Sequence, residues 1–312
     1  MARRSTDLAI TDLTGTRALL TGGSDGIGLA IAGRLADAGA ELILPVRNME
    51  KGRAAEHTIR STAPTADLAL HHLDLSSLES VTEFSQTLLS DGKPIHMFIG
   101  NAGVMNPPER QSTADGFELQ FGTNHLGHAA LIARLFPLLR DGRARVTLQI
   151  SIAANQGAVN WDDPNWERSY DSMGAYSHSK IAYGLLGLEL DRRSKANGWG
   201  ITANLSHPGV APTNLLAARP EIGRTQAVPT RRLITLFSRL GVMGTISSAS
   251  LPALMAATTP GDQGGKFFGP NGIRGLGGRP AEQTLYSRLR SPEDGARMWE
   301  LTEQLTGVTF PG

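Results

Sequence analysis

The pentapeptide Arg17-Ala-Leu-Leu-Thr21 runs without a break into Gly22-Gly23-Ser24-Asp25-Gly26-Ile27-Gly28, after which Ile27, Ile31, Leu35 and Ala38 recur at helical spacing until Gly39 ends the run. A strand that turns on glycines straight into a helix leaves few folds open. Gly22 can make the tight turn, Gly26 lets backbone approach a pyrophosphate, and Gly28 lets the helix sit close to the strand. The helix N-terminus then presents free amides to an anion, with Ser24 and Asp25 in the turn beside them. The spacing is Gly-x-x-x-Gly-x-Gly rather than Gly-x-Gly-x-x-Gly, and glycine-rich turns also occur in ordinary loops. The flanking strand and helix favour a dinucleotide site.

The rest of the chain alternates strand and helix. Strands are expected at 41–46, 68–73, 95–100, 145–150, 201–205 and, last and short, 265–268. Helices are expected at about 50–61, to about 90, 115–139, from Tyr176 to about 197, 245–258 and from Ser291, where a Ser cap, Pro292 and Asp294 make a good start. This pattern argues a single doubly wound α/β domain over 1–312, a parallel sheet with helices on both faces. Residues 1–15 read as a lead-in. The core would span 15–210, and 211–312 would hold a substrate lid, with one amphipathic stretch within 214–244, and the C-terminal segment.

In open parallel sheets ligands bind at the carboxyl ends of strands. Gly22, Asp74, Asn101 and Ser151 all fall at such ends. Asp74, followed by Leu75, could accept a hydrogen bond from an adenine amine or cap the next helix, in competition with Ser76 and Ser77. Asn101-Ala102-Gly103 would let backbone pass beside a ligand, or is a plain strand-end turn. After the second strand, where an acid would read a ribose 2′-hydroxyl, Arg47 stands, followed by Asn48. A guanidinium pairs with a 2′-phosphate, so NADP is favoured over NAD; the alternative is a solvated Arg.

Tyr176 and Lys180 stand four apart on one face of their helix. At ~4 Å and an effective dielectric of ~20, a cation attracts a phenolate by about 4 kcal/mol before desolvation. A Tyr tuned in this way can exchange a proton with an alcohol or carbonyl oxygen. With four Tyr in the chain the pair could be chance, and it gains weight only if a site forms around it. Asn124 lies inside a helix, where Asn is mildly unfavourable, so it either has a polar task or is exposed.

Other chemistries are excluded or lack support. The chain has no cysteine, which removes disulfides, a thiol nucleophile and Cys-ligated zinc. His125 and His128 are one turn apart without a third ligand, so they read as packing or surface residues and no metal is expected. The net charge is +1 and the Arg pairs (3–4, 192–193, 231–232) are isolated, so no nucleic-acid partner is expected. No run is long enough to span a membrane, and the segment 233–242 is broken by Ser238, Arg239 and Gly241. A cytoplasmic protein is expected, its partner a small-molecule substrate. A homo-oligomer is compatible with the sequence. The 152–173 stretch is a long loop whose acids (162, 163, 167, 171) read as solvated and whose Trp161 and Trp166 line an entrance or cover the core.

Thr21-Gly22-x-x-x-Gly26-Ile27-Gly28, Asp74-Leu75, Asn101-Ala102-Gly103, Asn124, Ser151, Tyr176-x-x-x-Lys180 and Pro208-Gly209 together resemble the short-chain dehydrogenase/reductase superfamily, in family order over roughly 15–215. Thr123-Asn124-His125-Leu126-Gly127-His128, Ala175-Tyr176-x-x-Ser179-Lys180, His207-Pro208-Gly209-Val210 and the long interval from Ser151 to Tyr176 look like its retinol dehydrogenase-like branch. The resemblance implies a Rossmann-type fold and an oxidoreductase moving a hydride between a nicotinamide and an alcohol or carbonyl; the Leu-rich lid and the lack of a clear anion clamp point to an apolar substrate of small to medium size.

By position, the resemblance makes Tyr176 the general acid/base. Ser151 would bond the reacting oxygen, and Lys180 would lower the Tyr pKa and hold the nicotinamide ribose. Asn124 would steady a water in a proton relay. Cofactor contacts would come from Gly22, Ser24, Asp25, Gly26, Ile27, Gly28, Arg47, Asn48, Asp74, Leu75, Asn101, Ala102, Gly103, Tyr176, Lys180, Pro208, Gly209, Val210 and Thr213. The sequence departs from the pattern at Gly100, where Asn is common, at Leu148-Gln149-Ile150, where the branch has Asn-Val-Ser, and after residue 214. The competing readings are a non-catalytic NADP(H)-binding sensor, which need not keep Asn124, Ser151, Tyr176 and Lys180 together, and a methyltransferase, against which Arg47 and the Tyr-Lys pair speak.

Overall fold

The computed structural model of the chain describes residues 8–229, 231–240, 242–261 and 263–310. The Arg3-Arg4 pair, the first half of the expected lead-in and Gly241 lie outside these residues.

Eight strands form one sheet in the order β3-β2-β1-β4-β5-β6-β7-β8. They are β1 (Arg17–Thr21), β2 (Glu41–Val46), β3 (Leu68–His72), β4 (Met97–Gly100), β5 (Arg145–Gln149), β6 (Thr202–Ser206), β7 (Phe267–Pro270) and β8 (Pro280–Gln283). The first seven are parallel, and β8 returns antiparallel on β7. The order reverses between β1 and β4, which opens the crevice where such sheets take ligands. β1 is buried along its whole length, as a strand covered on both faces must be.

On one face, α1 (Gly26–Asp37), α2 (Met49–Thr62) and the later α9 (Ile246–Thr258) pack with Leu20, Leu42, Leu44 and Ile99. On the other, α3 (Leu78–Asp91) lies beside a composite helix. That helix is α4 (Leu119–Phe121), a π turn (Gly122–Leu126), α5 (Gly127–Arg134) and α6 (Phe136–Asp141). α7 (Ser172–Asn197) and α10 (Pro292–Thr306) complete this layer over Leu19, Phe98, Val146 and Leu148. α8 (Arg231–Arg239) is the amphipathic stretch expected within 214–244, preceded there by two short 3₁₀ turns. No helix among the described residues is long and apolar enough to cross a membrane.

Three expectations need correction. The helix expected from 115 begins at Leu119, because Ser112 and Glu118 first close a small antiparallel bridge. The last expected strand, 265–268, lies at Phe267–Pro270, since the backbone amide of Gly265 is already turned to Ala203 O. β8 has no strong period-2 signal in sequence; pairing with β7 makes it a strand. The Ser291 start of α10 is as expected: its side chain accepts from the Asp294 amide.

Candidate active site

The glycine turn is held by close approach. A Cβ on Gly28 would lie 2.0 Å from Gly22 O, and Gly22 and Gly26 have φ of +69° and +53°. Asp25 caps α1, its carboxylate accepting from Gly26 N at 2.6 Å and from Asn214 Nδ2 at 2.7 Å. The amides of Ile27 and Gly28 precede the first bond of the helix ladder, Leu29 N to Asp25 O, and Ser24 is half-buried in the turn. Such a cradle, open beside Gly26, could hold a pyrophosphate.

Arg47 is exposed at the end of β2, and Asn48 caps α2 by accepting from Lys51 N at 2.9 Å. Glu221 lies near Arg47. Burial pushes Glu221 up, but its own backbone amide, Arg219 and Arg47 leave its pKa below the ordinary value. Asp74 does not cap α3; Ser77 does, accepting from Ser80 N. Asp74 Oδ1 instead accepts from the amide and hydroxyl of Ser76, at 2.9 and 2.6 Å. Leu75 is buried, and its carbonyl lies where a Cβ on Gly127 would come within 2.1 Å.

Asn101 ties strand ends together. Its Nδ2 donates to Thr21 O and Gly22 O, and its amide and that of Ala102 both donate to Thr21 Oγ1. Having accepted two N–H groups, Thr21 Oγ1 gives its own proton to His128 Nε2 at 2.9 Å, while His128 Nδ1 donates to Asn124 O at 3.2 Å. Burial, with the charge of Lys180, pushes the pKa of His128 down to about 3 and keeps it neutral. His125 is buried against Thr302. Both histidines are therefore packing residues, and no group of three or more His, Cys, Asp or Glu among the described residues could hold a metal. Gly100 also has a reason: a Cβ there would meet the Tyr183 hydroxyl at 1.8 Å.

Asn124 is fully buried, so the exposed alternative is excluded. It sits in the π turn, where the inserted residue redirects side chains. Its Oδ1 accepts from Val104 N (2.8 Å), and its Nδ2 donates to Val104 O and to Ser179 Oγ (both 3.0 Å). Ser179 in turn donates to Tyr176 O, so Asn124 is bonded into α7 next to the tyrosine. Gly103 fits tightly between: a Cβ there would be 3.0 Å from Asn124 Oδ1 and 3.6 Å from Lys180 Nζ.

Tyr176 stands close enough to Ser151, at the end of β5, for the Ser151 side chain to act on its phenol and lower its pKa against burial. Tyr176 is 5% exposed and packs with Met105 and Ala153, with Leu215 and Val228 against them. Lys180 Nζ donates to Gln149 O at 3.0 Å and stands 6.0 Å from the Tyr176 ring centre. This corrects the expectation that Lys180 lowers the Tyr176 pKa. Burial pushes Tyr176 up, only the Ser151 side chain opposes it, and burial pushes Lys180 down to about 8. Both groups are drawn toward their neutral forms because burial disfavours the charge on each.

After β6, Gly209 has φ +72° and its Cβ would strike Leu276 O at 2.7 Å; Pro208 and Val210 flank it half-buried. Val210 is pinned by its amide to Leu276 O and by its carbonyl to Gly244 N. Thr213 starts the next 3₁₀ turn without spending its hydroxyl on a cap.

The long loop is anchored to the core. Trp166 Nε1 donates to His178 Nδ1, Arg297 stacks on Trp161, and Asn165 Oδ1 receives Glu118 N. Two of its acids are not merely solvated: Asp163 accepts from the amides of Glu167 and Arg168, and Asp171 caps α7.

Two residues have partners that the sequence reading did not foresee. Gln149 Nε2 donates to Asn101 Oδ1 at 2.6 Å. Arg224, 8% exposed, donates to Met105 O, Leu215 O and Ala217 O, fastening the 215–224 segment beside Tyr176. The only local signal for Gln149 was a polar residue in an apolar strand; Arg224 gave none.

Residues 16–222 match the family model described as short chain dehydrogenase. Human retinol dehydrogenase 13 is 34% identical over 96% of this chain and 87% of its own length. Mouse retinol dehydrogenase 12 is 38% identical over 96% of this chain and 88% of its own. Among solved structures, an uncharacterised protein from Mycobacterium paratuberculosis superposes with a TM-score of 0.77 at 32% identity, covering 97% of each chain. The fold is also that of Pseudomonas aeruginosa RhlG, solved as an NADP active-site complex, with a TM-score of 0.61 at 24% identity over 82% of this chain and 94% of that one.

Proposed function

The chain belongs to the short-chain dehydrogenase/reductase family, in its retinol dehydrogenase-like branch, and from that premise we propose that it interconverts an apolar alcohol and its carbonyl with NADP(H), Tyr176 moving the proton. The coarser statement needs no proposal: it is an NAD(P)-dependent oxidoreductase acting on CH–OH groups.

The observation that carries the finer reading is Tyr176 beside Ser151, with Tyr176 packed in an apolar cluster of Met105, Ala153, Leu215 and Val228. The cofactor would supply the hydride, held along the glycine turn, Asp74, Asn101 to Gly103, Lys180 and Pro208 to Thr213. In reduction, charge develops on the carbonyl oxygen. Ser151 donates a hydrogen bond to it and Tyr176 delivers a proton. A pKa raised by burial keeps Tyr176 protonated and ready for this at neutral pH. Lys180, bonded to Gln149 O, keeps its ammonium beside both groups, and Asn124 would order a water behind it. Apolar walls and relatives named for retinol, a long apolar alcohol, support an apolar substrate. Exposed Arg47 supports NADP.

The test is NADPH oxidation against a panel of aldehydes, ketones and quinones, with wild type and Tyr176→Phe. Tyr176→Phe is expected to keep NADPH binding and lose about 10²-fold or more in turnover, the usual worth of a positioned acid/base. Substantial residual turnover would remove Tyr176 as the proton donor.

A further inference from the structure

We propose that Gln149 is a cofactor-positioning residue, its side-chain oxygen accepting a hydrogen bond from the nicotinamide-ribose half of the dinucleotide; this rests on the NADP(H) reading above. Gln149 closes β5 where the branch carries Val, and its side chain is 6% exposed. A carboxamide in that position must have its hydrogen bonds met.

The neighbours fix which way it points. Asn101 Nδ2 is spent on Thr21 O and Gly22 O, so the end of Asn101 that meets Gln149 is the acceptor Oδ1. Gln149 must therefore offer its NH₂ there, and does so at 2.6 Å. Its Oε1 is the opposite end. That atom is buried and has no partner among the described residues. A buried acceptor without a donor is costly, and a donor arriving with a ligand would relieve it.

The place selects the ligand. In the sheet order β1-β4-β5, the ends of these strands carry Gly22, Asn101 and Gln149, then Ser151. A dinucleotide reaching from the glycine turn to Tyr176 crosses this edge. The main-chain oxygen of Gln149 already holds Lys180 Nζ, the cation expected at the ribose. The donor that suits Oε1 is a sugar hydroxyl or a carboxamide N–H.

The experiment measures binding to the full chain of NADPH and of 2′,5′-ADP, which keeps adenine and the 2′-phosphate but lacks the nicotinamide ribose. Gln149→Leu is expected to weaken NADPH on the order of tenfold and to leave 2′,5′-ADP within about twofold. Its melting temperature without ligand should move by no more than a few degrees, because removing the unmet Oε1 offsets the loss of the bond to Asn101 Oδ1. Unchanged NADPH binding would overturn the proposal. So would an equal loss for both ligands, which would reduce Gln149 to a clamp on Asn101 and the glycine turn. If wild type binds NADH in place of NADPH, the same comparison is made with NADH and AMP. If it binds neither, the underlying reading fails instead. Should Gln149→Leu not fold, Gln149→Val carries the same expectations.

Discussion

At the scale of single residues, the proposed preference for NADP rests on the charge at the end of β2. Arg47 is exposed and its charge acts on Glu221, while Asn48 beside it is committed to capping α2. A guanidinium–phosphate bond contributes roughly 1.5–3 kcal/mol. Arg47→Asp should therefore lower kcat/KM for NADPH by roughly 10–100-fold and raise the relative use of NADH, read from paired kinetics with both cofactors. An unchanged ratio would assign 2′-phosphate recognition to another group. The pair at the proposed reaction centre follows a different balance. Tyr176 and Lys180 are both buried, and burial moves the two pKa values in opposite directions, Tyr176 up and Lys180 down to about 8. Below that pH Lys180 carries its charge, so the ammonium expected at the cofactor is available at neutrality.

At the scale of elements, glycines set how closely helices approach the sheet edge. Gly127 opens α5 directly over the loop that carries Asp74 and Leu75. Alanine there would gain about 1 kcal/mol in helix propensity. Its Cβ, however, would stand 2.1 Å from Leu75 O, and a backbone carbonyl cannot swing aside as a side chain can. Overpacking of this kind costs about 1–3 kcal/mol or more, so the clash wins. Gly127→Ala should lower stability by about 1–2 kcal/mol in a denaturant melt. Gly33→Ala in α1, with nothing within 4 Å of the added Cβ, should raise it by about 0.4–1 kcal/mol. Equal effects from the two would mean the close approach does not constrain α5. The π turn between α4 and α5 works on the same scale: its extra residue brings Asn124 inward to Val104 and Ser179.

At the scale of the molecule, the sheet supports a cover that is both tied and packed on, with Ile222 buried against Val104 and Leu119. Residues 211–228 meet the rest through Asn214 to Asp25, through Arg224 to Met105, and through Leu215 and Val228 over Tyr176. Arg224→Ala leaves three carbonyls without their donor. Thermolysin should then cut near Leu215 or Val228 several-fold faster, while the main melting transition moves by only a few degrees. A large fall in that transition would make Arg224 part of the core instead. The parts legible in sequence were those set by local chemistry. The strand-glycine-helix unit follows from φ and periodicity and the parallel sheet from alternation, while spacing and strand ends pointed to Tyr176, Lys180 and Ser151 and the family resemblance joined Asn124 to them. The antiparallel β8, the carbonyl cluster around Arg224, the network behind His128 and the free oxygen of Gln149 were not legible. Each depends on partners brought from distant parts of the chain, as Gln149 depends on Asn101 and Arg224 on Met105. The direction of the Tyr176 shift was decided in the same way. Sequence placed a cation one turn away, but the depth of burial, which only the packed structure sets, made desolvation the stronger effect.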